Sequence, residues 1–332
     1  VRIGAVVTTI LLASGLHAQI LPNFGGQRAG LSSLTFLKNE TNPIALGMAG
    51  SGTALAASPF SGSTNPGALA HLNESSLAVS NTLMGNGVHQ SYFAYNHKLI
   101  GESVITGHIN SMNSGWMKER TEFQPNGTGR QFSVSSTELG VSFSSKLTDF
   151  FSFGVQASYV NEIIADFVNH SAVVDVGFLY TTDLKDLQFA AVIQHFGGNS
   201  SISGSDIPVE YNRNEVDVNE YTAPTVFKLG FSMVPYEDEK HQLLVSGEIN
   251  HPNDNAENIR LGVEWTMAKI LKVRTGYQIA VKGRNLPSAG LSYKYHFGTK
   301  PFWIHYAFVP SNWMGNWHQV GVSLAFKKME ER

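Results

Sequence analysis

From about residue 74 onward the chain alternates apolar and polar side chains with a period of two, in one segment after another, and this limits its folds more than any other feature. Val320, Val322, Leu324 and Phe326 alternate with Gly321, Ser323, Ala325 and Lys327. Leu261, Val263, Trp265 and Met267 alternate with Arg260, Gly262, Glu264 and Thr266, and the next segment repeats the pattern from Leu271 to Ile279. Successive side chains of a strand point to opposite faces, so each segment carries one apolar and one polar face. Such runs predict about fourteen strands, near residues 75–84, 89–98, 101–113, 131–146, 149–161, 171–182, 186–197, 222–234, 240–250, 257–268, 270–281, 286–298, 301–310 and 317–327. Most approach the roughly 9–11 residues of a tilted membrane-crossing strand, well beyond the usual 5–6 of a soluble one.

The connections alternate in kind. Tight turns are expected around Gly101, Thr148 and Asp149, Asp183 to Lys185, Glu237 to Glu239, Ala268 and Lys269, and Thr299 to Pro301. Between them lie 84–88, 114–130, 162–170, 198–221, 250–257, 282–285 and 311–316. Short turns at one end and longer loops at the other are the pattern of an outer-membrane barrel. No later apolar run reaches the roughly 20 residues of a spanning helix. A sheet in hydrocarbon must close on itself to leave no edge unpaired. The expected fold is therefore all-β: a transmembrane antiparallel β-barrel of about fourteen strands with an N-terminal plug segment. An even strand number puts both termini on the short-turn, periplasmic side of a cell outer membrane. A soluble sandwich or propeller is the alternative, burying one face of each strand. Phe150, Phe151, Tyr180, Trp303 and Trp317, near strand ends, are expected in interfacial girdles.

Four regions follow. Residues 1–18 read as an export signal, with Arg2, an apolar stretch from Ile3 to Leu12, and cleavage after Ala18; an N-terminal anchor helix is the alternative. Residues 19–73 are rich in small residues and read as a plug, 74–327 as the barrel, and 328–332 as a short tail. Glycine lets one backbone approach another closely, and Asn65-Pro66 favours a turn. Pro43, Gly47, Met48, Gly50, Asn65, Pro66 and Gly67 are therefore the candidate plug residues. On the polar strand faces, Glu248, Arg260, Glu264, Lys272, Arg274 and Lys294 alternate in sign across consecutive strands. They form either a selective pore lining or a cross-strand paired network that fills a narrow barrel, and the mixed signs favour the network.

Composition narrows the function. A net charge of −3 gives no footprint for nucleic acid. The absence of cysteine excludes disulfide frameworks and thiolate zinc sites. The histidines form no His-Glu-x-x-His spacing, and His251-Pro252-Asn253-Asp254-Asn255 with Glu257 lacks the ligand order of a calcium loop. No nucleophile motif stands out, so neither an enzyme, nor a cofactor, nor a metal site is expected. Exposed aromatics flanked by charge suit a protein partner. Candidates are Trp116, Met117 and Phe123 among Lys118, Arg120 and Arg130, then Ile207, Val209 and Tyr211 among carboxylates, and Trp313.

Several short motifs carry a family resemblance. Phe36-Leu37, Ala45-Leu46-Gly47-Met48-Ala49-Gly50 and Asn65-Pro66-Gly67-Ala68-Leu69 resemble the N-terminal signature of the PorV/PorQ family. Asn258-Ile259-Arg260-Leu261-Gly262-Val263-Glu264-Trp265 and Ser288-Ala289-Gly290-Leu291-Ser292-Tyr293 extend the likeness. The resemblance implies a fourteen-stranded barrel of the FadL type. It further implies a component of type IX protein secretion or cargo surface attachment, with outer-membrane lipid and secretion-system subunits or cargo C-terminal signal domains as partners. The alternative is a FadL-like outer-membrane channel for hydrophobic small molecules, which expects an apolar pocket near the loops and a gap in the wall beside the plug.

Overall fold

The computed structural model describes residues 30–55, 57–200, 221–281, 284, 286–297, 300–312 and 315–326. The export signal, Ile207, Val209, Tyr211, Trp313 and the 328–332 tail lie outside the described residues.

The alternating segments form one closed antiparallel barrel of fourteen strands. In chain order these are β1 (Ser75–Leu83), β2 (His89–Lys98), β3 (Ser103–Asn113), β4 (Val134–Lys146), β5 (Phe151–Ile164), β6 (Phe167–Thr181), β7 (Gln188–Gly197), β8 (Val226–Glu237), β9 (His241–Pro252), β10 (Asn258–Met267), β11 (Leu271–Ile279), β12 (Ser288–Phe297), β13 (Lys300–Val309) and β14 (Trp317–Phe326). Each strand pairs with its sequence neighbours, and Val79 of β1 lies opposite both Val322 of β14 and Phe93 of β2, which closes the cylinder. Every ladder is made, so the wall has no free edge for lipid to face.

The faces are inverted relative to a soluble protein. Phe93, Leu139, Tyr159, Phe178, Leu229, Trp265, Tyr293 and Val322 are exposed on the outside, while Gln90, Ser142, Gln156, Ser246 and Gln319 are buried inside. That apolar outer band over a polar interior is the arrangement a bilayer selects.

The turns expected around Gly101, Thr148, Leu184, Asp238 and Ala268 all fall at one end of the barrel. At the other end two expectations change. The 162–170 connection is only Ala165 and Asp166, because Ile163 and Val168 continue the ladder and lengthen β5 and β6 to 14 and 15 residues. The 131–146 strand begins at Val134, since Gln131 and Phe132 leave the barrel to pair with Met117 and Lys118 in a separate ribbon.

Two of the five expected girdle aromatics point the other way. Phe150 and Tyr180 are exposed, and Phe151 stacks on the exposed Phe178 at 5.8 Å. Trp303 and Trp317 instead share the parity of His305 and Gln319 and face inward. Trp303 stacks on buried His305, and Trp317 is buried in an apolar cluster with Leu46, Met84 and Val309.

Candidate functional site

The N-terminal segment threads the barrel from the long-loop end to the short-turn end. Ser32 bridges to Thr222, Ser33 Oγ lies 2.7 Å from Ser200 Oγ, and Lys38 Nζ is 2.6 Å from Asp254 Oδ2, all in or beside long connections. Residues 30–38 thus lie at the end opposite Phe326. The two ends of the barrel itself, Ser75 and Phe326, lie opposite each other at the short-turn end. Lower down, Ser80 Oγ and Gln319 Nε2 donate to Thr41 O, and a one-turn helix α1 (Pro43–Gly47) begins. Asn42 caps it by accepting from Ile44 N at 2.9 Å, with Pro43 in the first position, where its missing N–H costs nothing. A 3-10 helix at Pro66–His71 closes the far end, with Leu69 and Leu72 on Val104 and His71 Nε2 3.1 Å from Ser152 Oγ.

All seven candidate plug residues touch the wall, mostly at inward-facing glycines. A Cβ on Gly321 would meet the Pro43 ring at 2.8 Å, and one on Gly276 would come within 2.6 Å of Ala49 N. Met48 Cβ lies in the space a side chain on Gly262 would need, and Gly47 packs on Gly290. Gly154 faces the Pro66-Gly67 backbone, and Asn65 fills the place of a side chain on Gly177. Arg260 Nη1 reaches Gly50 O at 3.3 Å. The sequence signal for the plug was its own small residues; the glycines on the polar sides of the strands mark the same seam, a signal absent from the sequence reading.

Of the six lumen charges all but Lys294 are in ion pairs among the described residues. Glu248 accepts from Thr53 N at 3.1 Å and from the Thr53 hydroxyl, and faces Arg260 at 3.5 Å. Glu264 holds Lys272 at 2.8 Å and Arg274 at 2.6 Å, and Arg274 donates onward to Ser292. Lys272 and Lys294 sit 5.6 and 5.8 Å from the Trp303 ring centroid. A second polar network, absent from the sequence reading, runs from the plug across β2–β4: Asn39 donates to Gln90, Gln90 to Asn110, and Asn110 to Glu138, which also meets His108. Beside it, Gln156 and the His195 amide donate to buried Asp175, where the β6–β7 register shifts and His195 adopts φ 55°. No group of three or more His, Asp or Glu among the described residues is arranged to hold a metal.

Two apolar features complete the site. At the long-loop end Leu34, Phe36 and Leu37 pack on Val160, Val173 and Ala223 inside the barrel. On the outer wall across β2–β6 lies a depression of about 700 Å³. Its floor is Gly107, Ala157 and Ala172, small residues set by register among Phe93, Tyr95, Ile109, Leu139, Val141, Tyr159 and Val174. Behind it the inward positions His108, Gly140 and Ser158 lie side by side. Val173, also inward-facing, lies behind the groove and belongs to the inner apolar cluster. Of the loop candidates, Trp116, Met117 and Phe123 are exposed.

No protein-family model matches the sequence, and no curated protein does. Solved structures do match in fold. The Ralstonia pickettii toluene transporter TbuX superposes with a TM-score of 0.55 at 11% identity, over 85% of this chain and 96% of its own. The Pseudomonas putida toluene transporter TodX gives 0.55 at 11%, over 90% and 98%. A Pseudomonas aeruginosa FadL homologue gives 0.50 at 11%, over 86% and 98%. The chain has the FadL-type fold of an outer-membrane barrel. These findings overturn the secretion reading: the fold it shares is that of proteins described as toluene transporters and a FadL homologue, and no family model supports the PorV/PorQ likeness. The type IX role and its subunit and cargo partners are accordingly withdrawn.

Proposed function

We propose that this protein is an outer-membrane channel for small, uncharged hydrophobic molecules of about monoaromatic size. The observation that carries the reading is a pair of apolar surfaces on the same side of the barrel: the inner cluster of Leu34, Phe36, Leu37, Val160 and Val173, and the groove on the lipid side of β2–β6. Polar side chains and the plug fill the middle of the lumen, where Asn65, Gln90 and Gln319 are almost fully buried. An apolar solute gains nothing by crossing that polar section. It has a favourable surface at the long-loop end and another in the wall of β3–β6, where glycine and alanine leave least in the way.

In this reading the short-turn end faces the periplasm, residues 1–18 are removed on export, and residues 19–73 form a fixed plug in the 74–327 barrel. The Glu248–Arg260 pair of β9 and β10 anchors that plug, and the paired charges of β9–β11 do not conduct ions. TbuX and TodX are toluene transporters by description, so labelled toluene is the first substrate to test. Cells lacking other hydrocarbon channels should accumulate it faster when this barrel is present in their outer membrane. Uptake no faster than in cells without the barrel would refute the assignment.

A further inference from the structure

The long β3–β4 connection carries a feature that a hydrocarbon channel does not use. Its two arms form the small ribbon in which Met117 lies opposite Phe132 and Lys118 opposite Gln131. Backbone bonds from Glu119 N to Arg130 O and from Thr128 N to Glu119 O, both 3.0 Å, extend it. Strand alternation puts Met117 and Glu119 on one face and Trp116, Lys118 and Arg120 on the other. The carboxylate of Glu119 is held on its own face by Thr128 Oγ1 at 2.9 Å and Arg130 at 3.5 Å. Lys118 and Arg120 are exposed, and their side chains make no hydrogen bond or ion pair among the described residues. Trp116 is 74% exposed and Phe123, at the turn, 93%. Glu122 beside Phe123 is the opposing charge.

The height of the ribbon follows from the wall below it. Ile109 and Leu139 face lipid in the same register row, and the next outward pair above them is Ser111 and Thr137. The apolar band on β3 and β4 therefore ends two outward positions before the connection starts, with Ser111 and Thr137 and then Asn113 and Ser135 above it, which sets the base of the ribbon at headgroup level. Aromatic side chains are stable at that boundary, and lysine and arginine there meet anionic headgroups.

We propose that the Trp116–Lys118–Arg120 face, with Phe123 at its tip, is a docking surface for lipid headgroups that carry a phosphate and a net negative charge, in the leaflet at the long-loop end. The cations contact phosphate while the aromatics enter the interface. This inference requires only that the barrel spans a membrane, so it stands or falls apart from toluene uptake. The test is native mass spectrometry of the detergent-solubilised full chain, titrated with phosphatidic acid or with phosphatidylcholine.

Wild type should retain phosphatidic acid preferentially. K118Q/R120Q should lose about thirtyfold in that affinity, at about a fivefold factor per cation. Phosphatidylcholine binding and heat-modifiable migration of the barrel should stay unchanged. Unaltered phosphatidic acid retention by the double variant would overturn the proposal. So would equal competition by inorganic phosphate, which would mark a free-anion site.

Discussion

Gly47 of the plug and Gly290 of β12 pack backbone to backbone: a Cβ on Gly47 would lie 2.9 Å from the Gly290 Cα, and one on Gly290 3.0 Å from the Gly47 Cα. Neither side can yield cheaply, because each contact is with main chain. G290V should destabilise the barrel by about 1–3 kcal/mol, the usual cost of overpacking. Gly107 has open space at its Cβ position, so G107V is the matched control and should cost much less. Thermal unfolding in detergent reads both, and equal midpoints for G290V and wild type would show that the plug is not seated there.

Glu264 is the hub of the ion network, with Lys272 and Arg274 both on it and Arg274 almost wholly buried. Removing one partner of a buried pair leaves a charge without compensation and typically costs about 3–5 kcal/mol. E264Q should fall near that range because it strands Arg274. The double variant E264L/R274M should recover most of the loss, since apolar replacement of both partners is often neutral or better. A double variant as unstable as E264Q would instead assign the network a role beyond mutual neutralisation.

Asn65 is fully buried and serves three main-chain groups: its Nδ2 donates to Thr53 O at 2.9 Å and Phe178 O at 3.2 Å, and its Oδ1 accepts from Gly67 N at 2.8 Å. N65A should loosen the plug by on the order of 3 kcal/mol, through groups left buried and unpaired. N65D keeps the acceptor but loses both donor bonds and adds a charge, so it should do no better. The readout is limited trypsin cleavage after Lys38, faster in both variants. Cleavage at the wild-type rate would mean that the plug is held by other contacts.

The barrel was legible because its signal is repeated: one period, about fourteen times, punctuated by short turns at every second connection. What failed depended on more than one strand. Asn161, Glu162, Asn169 and His170 look like a loop, yet Glu162 and Asn169 share the inner side and Asn161 and His170 the outer, one row before the exposed pair Ile163 and Val168. Trp303 and Trp317 read as girdle residues by composition but sit at lumen parity. The groove needs five strands in register before its small residues coincide. The family resemblance misled for a physical reason. Gly47, Gly50 and Asn65-Pro66-Gly67 are dictated by plug–wall contact, so they report the packing of a plugged barrel and carry no information about a secretion partner.

Ala157 tests the groove itself. It faces lipid between Val141 and Val174 and forms the centre of the floor. A157W would fill much of the depression with an indole while leaving the inner face, the plug and the ladder hydrogen bonds untouched. Because its side chain meets lipid on an apolar face, its cost to stability should be small, within roughly 0.5 kcal/mol of wild type. Labelled toluene uptake should fall at least severalfold. S142A, deeper on the inner face of β4 and outside the groove lining, should transport normally. Should A157W take up toluene at the full rate with the barrel correctly inserted, the solute does not use this stretch of wall, and the path would have to be sought through the long-loop end alone.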